Sequence, residues 1–305
     1  MCKIAILVPY FGKWPEWIDL FFDSVERNPT IDFHFLTDCD TCVSSSSNVH
    51  FHTMTFAEYV KNVEKKIGIP INIPNPYKIC DLRPMFGFIH YELIKNYDFF
   101  GWTDVDLVFG DIRSFYTNEL LDNYEVFSTH SARISGHLAL IKNTAENRKK
   151  YLAIYKWQEA LQNPEFVGID EHGLTNAFTM TVFDKVNEKF KLNINNPITR
   201  YFKNKKLRKL YMKEQYTTPF SPIKWQDGSL NSAQPSTWFY HQGTVTNDRD
   251  EQNFIYIHFM NFKSSKWRHD GTKAPWEGRK SIYHLNKDSL NSIVRIDLNG
   301  INLNE

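Results

Sequence analysis

With 305 residues, of which 42% are hydrophobic, 15% aromatic and 23% charged, the chain has enough apolar mass for a buried core and lies outside the range of disordered polymers. Lys and Arg number 36 against 35 Asp and Glu, and the net charge of +1 excludes the global field of a nucleic-acid binder, leaving any basic function to a local cluster. Four cysteines (Cys2, Cys39, Cys42, Cys80) are too sparse for a disulfide scaffold and fit a reducing cytoplasm, and no apolar run approaches the roughly 18 residues of a membrane span, so the expectation is a soluble or membrane-surface protein.

The continuous apolar run Ile4-Ala5-Ile6-Leu7-Val8 predicts a strand buried on both faces of a parallel sheet, ending in the loop Pro9-Tyr10-Phe11-Gly12. Apolar spacing predicts a helix over 14–27, and 33–38 reads as a second strand ending in Asp38. A helix follows over 56–67, and the three prolines of 70–76 predict an ordered connection or flap. The pattern over 82–94 is helical with Pro84 in the first turn, and 99–103 is a strand running into Asp104-Val105-Asp106. Further strands are predicted at 125–128 and 137–141, and helices over 146–162 and from about 170 through 183. This alternation predicts an α/β fold with a mainly parallel central sheet, in which ligands bind beyond the carboxyl ends of the strands. A basic excursion over 198–236 breaks the rhythm, aromatic strands return at 238–240 and 254–259, and the expected organisation is one domain over 1–260 with a C-terminal extension, 261–305, packed on it.

The segment Phe100-Gly101-Trp102-Thr103-Asp104-Val105-Asp106 delivers two acids, one residue apart, to a strand end. Alternate residues of extended chain point the same way, so Asp104 and Asp106 can face one cation while Val105 turns into the core. Hard oxygen ligands favour Mn²⁺ or Mg²⁺. A chance pair of acids on a solvated turn is the bland alternative, and the strand context argues against it.

The chain resembles the GT-A (Rossmann-like nucleotide-diphospho-sugar transferase) glycosyltransferases. Asp104-Val105-Asp106-Leu107-Val108-Phe109-Gly110-Asp111 is similar to a segment of the retaining α-galactosyl and N-acetylgalactosaminyl transferases of the blood-group type, as is Asp170-Glu171-His172-Gly173-Leu174-Thr175-Asn176-Ala177-Phe178. Ser135-Gly136-His137-Leu138-Ala139-Leu140-Ile141 resembles a strand of the lipooligosaccharide galactosyltransferase and glycogenin group, and His258-Phe259-Met260-Asn261-Phe262-Lys263 its late His and Lys motif, with Asn261 in the place of a glycine. Lys78-Ile79-Cys80-Asp81-Leu82-Arg83-Pro84 resembles a motif of bacterial polysaccharide transferases.

The resemblance implies roles. Asp104, Asp106 and His258 would hold the metal, with Asp104 also reaching ribose or sugar. Pro9, Tyr10, Phe11 and Asp38 would lie against the nucleoside, with packing as the alternative for Tyr10 and Phe11. Lys78, Asp81, Arg83 and Lys263 would lie near the diphosphate, Arg83 either touching it or orienting a carboxylate of Asp104-Val105-Asp106, with a helix-start salt bridge the alternative for Asp81 and Arg83 and Lys266 the alternative to Lys263. Asp170 and Glu171 would face the reacting sugar as base, nucleophile or cation stabiliser, unless the pair merely complements a helix dipole. His130 and His137 flank the pocket strand.

The stretch 199–213 carries seven basic residues interleaved with aromatics and leucines, which fits an anionic membrane surface better than a solvated helix face or nucleic acid. The expected function is metal-dependent transfer of a hexose, galactose first, from a UDP-sugar to a surface polysaccharide or lipid-linked oligosaccharide, most simply with retention, in the cytoplasm or peripheral to its membrane. The competing expectations are a non-catalytic carbohydrate- or membrane-binding protein on the same fold and a nucleotidyltransferase. No nucleic-acid partner is expected.

Overall fold

The computed structural model describes residues 1–181, 183–184, 186, 190, 197–214, 237–249, 252–267, 273–279 and 289–303. Part of the predicted helix end near 183, the second half of the basic excursion (215–236) and parts of the C-terminal extension lie outside these residues.

The apolar run becomes β1 (Ile4–Pro9), which pairs in parallel with β2 (Ile31–Thr37) on one side and β4 (Phe99–Thr103) on the other. Flanked on both sides and covered on both faces, it has no use for a polar residue. The sheet runs β3-β2-β1-β4-β7-β6-β8, adding β3 (Val49–Thr53), β6 (Val126–Ser128), β7 (Leu138–Lys142) and β8 (Leu210–Met212). Four of its strand pairs are parallel, and only the two that β7 makes with β4 and β6 are antiparallel, so the expected mainly parallel sheet is present. Gly101 is needed at the β4–β7 contact, where a Cβ would stand 2.2 Å from the Ala139 carbonyl oxygen.

Helix α1 (Ile18–Glu26) begins later than the predicted 14–27. Trp14 is diverted from it: the indole stacks on Tyr10 and donates to the Asp40 carbonyl. Helix α2 (Phe56–Ile67) matches its predicted limits because both ends are specified locally. The Thr55 hydroxyl and the Glu58 carboxylate cap each other's backbone N–H groups, and Gly68 closes the helix at φ 78°.

Two predicted helices differ. The segment 82–94 forms a 3₁₀ stretch (Pro76–Met85) followed by single helical turns at Phe86–Ile89 and Tyr91–Ile94, because Pro84 lacks a donor and His90, at φ −104° and ψ 25°, leaves the helical backbone. The segment 146–162 breaks into Ala145–Arg148, a 3₁₀ turn at Lys150–Ala153, and α3 (Trp157–Gln162), separated by Lys156 at φ 54°. The predicted helix from 170 is a π-turn (Ile169–Gly173) leading into α4 (Leu174–Thr179). The basic stretch supplies α5 (Pro197–Leu207) and then β8 at the sheet edge.

A second sheet, β10-β9-β12-β13, joins β9 (Trp238–His241) and β10 (Thr244–Asn247) to β12 (Val294–Asp297) and β13 (Gly300–Leu303), the last two drawn from the expected extension. A short ladder pairs β5 (Leu107–Phe109) with β11 (Tyr256–His258). No helix among the described residues is long and apolar enough to cross a membrane.

Candidate active site

The parallel strands β1, β2 and β4 end at one edge, and the candidate residues gather there. β4 stops at Thr103, and Asp104 and Asp106 follow in a turn fixed from both sides: Asp104 N–H donates to the His137 carbonyl at 3.0 Å and the Trp17 indole to the Val105 carbonyl at 2.9 Å. Val105 turns into the core, as the alternation required. β5 resumes at Leu107, whose register partner on β11 is His258, and Phe259 N–H donates to the Asp106 carbonyl at 3.2 Å. This ladder brings His258 to the acids, and one ligand atom from each of Asp104, Asp106 and His258 lies within 4.8 Å of the others.

The three residues fit a hard divalent cation. Two carboxylates and an imidazole suit Mn²⁺ or Mg²⁺, and His258 Nδ1 is buried with no hydrogen-bond partner among the described residues. Asp106 is itself buried, with His258 Nε2 at 3.4 Å from Oδ1 and the Lys263 ammonium paired to Oδ2. Burial alone would raise its pKa, but Lys263 and His258 outweigh it and hold the carboxyl well below the usual carboxylate range. Lys263 also stands over the Trp17 ring, 5.3 Å from its centroid, whereas Lys266 lies over Tyr77 at 4.8 Å.

Arg83 links a second cluster. Its Nη1 donates to Asp170 Oδ2 at 3.0 Å and its Nη2 pairs with Asp104. Asp170 is almost completely buried, and its Oδ1 has no hydrogen-bond partner among the described residues. Burial lifts its pKa to about 7, against the pull of Arg83. Glu171 is engaged: Oε1 accepts from Gly136 N–H at 3.2 Å and Oε2 meets Arg133 at 3.1 Å.

Lys78 and Asp81 do not open on this cluster. Both are buried, and Lys78 Nζ donates to Asp81 Oδ2 at 2.7 Å and to the carbonyls of Ala160 and Glu165 at 2.8 and 2.6 Å. Asp81 further accepts from the N–H groups of Val167, Gly168 and Ile169 at 2.8, 2.8 and 3.0 Å. With every polar atom committed, the pair anchors the loop that delivers Asp170. Phe11 is likewise turned inward, packed on Phe56 and Tyr59, so it offers no face to a nucleoside. Tyr10 and Asp38 stay at the strand ends, with Tyr10 near enough to Asp106 to feel its charge and Asp38 accepting from Gly12 N–H at 2.7 Å. Pro9, the last residue of β1, is half-buried there.

Four neighbours escaped the sequence reading. Trp17 was legible only as an apolar helix position. Tyr77 and Cys80 border Arg83, Asp104 and Asp170; burial, with the nearby carboxylates, pushes the Cys80 thiol up to about 12, and its place inside the Lys78–Pro84 motif was the one available signal. Arg133 carried none. His137 sits behind His258 at a ring distance of 4.3 Å, held by Tyr256 OH at 2.6 Å from Nε2, and burial keeps it neutral.

The sequence matches the model of a family of unknown function, DUF6625, over residues 6–286. No curated protein matches it. Among solved structures it is similar to galactosyltransferase LgtC in complex with donor and acceptor sugar analogs (14% identity, 65% of this chain and 81% of that one, TM-score 0.35). It is also similar to mouse xyloside xylosyltransferase 1 (9% identity, 84% and 97%, TM-score 0.37). A third likeness is to the glycosyltransferase GlyE of Streptococcus pneumoniae TIGR4 (14% identity, TM-score 0.32), of which the chain spans 43% while 62% of its own length is covered. These likenesses are distant, and the chemistry rests on the side chains.

Proposed function

The chain belongs to the family of unknown function DUF6625, and from that premise we propose that it is a metal-dependent glycosyltransferase of the GT-A kind, moving a hexose, galactose first, from a UDP-sugar to a surface polysaccharide or lipid-linked oligosaccharide. The observation that carries the reading is the convergence of Asp104, Asp106 and His258 at the carboxyl edge of a mainly parallel sheet, beside a buried aspartate with one oxygen unpartnered among the described residues.

Asp104, Asp106 and His258 would hold Mn²⁺ or Mg²⁺, which when bound offsets the charge that develops on a departing diphosphate. Lys263 and Arg83 already stand against the same carboxylates and place two further cations beside that charge. Tyr10, Asp38 and the end of β1 at Pro9 are proposed to receive the nucleoside. Of the two candidate carboxylates, Asp170 is the better partner for the anomeric carbon. Arg83 holds its Oδ2 and leaves Oδ1 to the sugar, whereas both oxygens of Glu171 are engaged. A carboxylate so placed supports retention, and Glu171 with Gly136 and Arg133 braces it.

The acceptor reading extends to the anionic inner face of the cytoplasmic membrane through 199–213. What supports it is that Arg200, Lys203, Lys205, Arg208 and Lys209 are all exposed, beside exposed Ile198, Tyr201 and Phe202.

The test is calorimetry of UDP binding with MnCl₂ and with EDTA, paired with UDP-galactose hydrolysis. Metal-dependent binding and turnover, both lost in Asp106→Ala, are expected. UDP binding indifferent to metal and to Asp106→Ala overturns the reading, and binding without hydrolysis of any UDP-hexose restricts it to a non-catalytic protein.

A further inference from the structure

Away from the sheet edge, a cavity of about 520 Å³ lies between α4, α5 and the start of β8. That volume is within the range of sites that bury a small ligand, about 300–1,000 Å³. Phe178, Phe183, Phe202 and Leu210 give it apolar walls, and Lys205, Lys206 and Lys209 line it as well, the Lys206 ammonium donating to the Met180 carbonyl. Two acids also line it, and each is partnered: Glu125 pairs with Lys209 at 2.5 Å and Glu146 with Lys150 at 3.0 Å. Lys150 also stands over the Phe178 ring, 5.1 Å from its centroid. Four lysines against two glutamates leave the lining positive.

The surface around it is unusual for a wall that meets water. α5 carries Arg200, Lys203, Lys205 and Lys206 and no acid, yet Ile198, Tyr201, Phe202 and Leu207 are exposed by 41% or more of their surface. Cations interleaved with bare apolar side chains are what an amphipathic helix presents to the headgroup layer of a bilayer. A free anion would need the lysines and have no use for the phenylalanines. An uncharged apolar ligand would need the reverse.

We infer that this cavity is a binding site for one anionic lipid, its acyl chain against Phe178, Phe202 and Leu210 and its phosphate among Lys205, Lys206 and Lys209. The inference rests on the proposed membrane role of 199–213 and adds a single-molecule site to it. Phe178 belongs to α4, the helix that follows the turn bearing Asp170 and Glu171, so an occupied cavity is one short helix away from the proposed reaction centre.

The probe is 1-octanoyl lysophosphatidate below its micelle concentration, titrated by calorimetry against the full chain, with octanoyl lysophosphatidylcholine and inorganic phosphate in parallel arms. Vesicles of phosphatidylglycerol and of phosphatidylcholine are co-sedimented in a separate arm. Expected are saturable binding of the lysophosphatidate at one site, at least tenfold weaker binding of the other two probes, and a tenfold or greater loss in Lys205→Glu and in Phe202→Ser. Both positions are solvent-exposed, and unchanged UDP–Mn²⁺ binding by either variant certifies its fold. Sedimentation with phosphatidylglycerol vesicles without monomer binding overturns the cavity site and leaves the membrane reading standing. Failure of both overturns both, and phosphate binding as tightly as the lysophosphatidate overturns the lipid assignment.

Discussion

Arg83 reaches Asp170 across 87 positions of sequence, donating from Nη1 to Oδ2 at 3.0 Å, while its second terminal nitrogen serves Asp104. One planar fork thereby fixes the spacing between the proposed metal-holding carboxylate and the proposed sugar-facing one. A lysine keeps the charge and loses the fork. Arg83→Lys is therefore expected to retain UDP–Mn²⁺ binding and to lower the turnover of UDP-galactose by about 10²-fold, the scale of an ångström's misplacement of a reacting group. A variant with wild-type turnover would show that the bridge positions nothing.

Asp170 supplies the pH dependence. Its carboxyl, raised by burial to about 7, must be ionised in its proposed role at the sugar, so turnover should rise with pH through about 7 and fall on the acid side. Removing the Arg83 charge in Arg83→Met takes away the influence that lowers this pKa, and the acid limb should move to higher pH. The linkage to stability has the opposite sign. A buried carboxyl whose pKa is raised from 3.8 gives the fold stability that is complete below 3.8 and is lost as pH rises through about 7. Asp170→Asn should thus unfold at a higher urea concentration than the wild type at pH 8 while losing turnover. A variant less stable at pH 8 would mean that the Arg83 pairing outweighs the burial.

Gly136 makes room for the carboxylates. A Cβ there would stand 3.0 Å from Glu171 Oε1 and 3.4 Å from Asp170 Oδ2. Gly136→Ala should leave the unfolding midpoint nearly unchanged, because Glu171 lies on a partly exposed turn and can give way, yet cut turnover by about 10²-fold. Unaltered kinetics would remove the pair from the reaction.

What the sequence made legible divides along the range of the forces involved. β1 and β4 could be read because a continuous apolar run has few other uses, and Asp104 with Asp106 because strand alternation is local. The edge strand β3, Val49-His50-Phe51-His52-Thr53, was missed since its side chains are half-exposed and its histidines interrupt the apolar signal. The long helices expected over 82–94 and 146–162 are broken, the first where His90 leaves the helical backbone at ψ 25° and the second at the extended Ile154 and the left-handed Lys156. β12 exists through pairing with β9, more than 50 positions earlier, and β13 is added on β12, and no local pattern announces the distant partner. In the site, His258 carried a motif, but its register opposite Leu107 and the reach of Arg83 to Asp170 are tertiary facts.

Lys78 and Asp81 show what a buried ion pair does when it holds a loop rather than a ligand. Lys78→Met would leave the buried Asp81 carboxylate without its cation and facing, among the described residues, three backbone N–H groups, a change that costs about 3–5 kcal/mol when one partner is removed. Urea unfolding should register that loss, with turnover falling as the Asp170 loop loosens. A loss below about 1 kcal/mol would put the pair in the class of solvent-screened surface bridges and overturn its role as an anchor.

Acid should weaken the fold through a different group of residues. On β2 and β3, His34 Nδ1 lies 3.0 Å from His52 Nε2, its Nε2 lies 3.1 Å from Tyr97 OH, and its ring stacks on His50 at 4.7 Å. Burial first, then His50 and His52, lowers the His34 pKa to about 4, and burial takes His90, 3.2 Å from Tyr59 OH, to about 3. Both imidazoles stay neutral in the fold and titrate near 6.5 once it opens. Their contribution is therefore complete above about 6.5 and is lost as pH falls toward 4, with a slope approaching about 1.4 kcal/mol per pH unit for each. Urea midpoints measured from pH 7.5 to 4.5 should fall steadily, and the fall should be shallower in His34→Gln. An equal slope in the variant would mean that His34 is not held neutral by its neighbours.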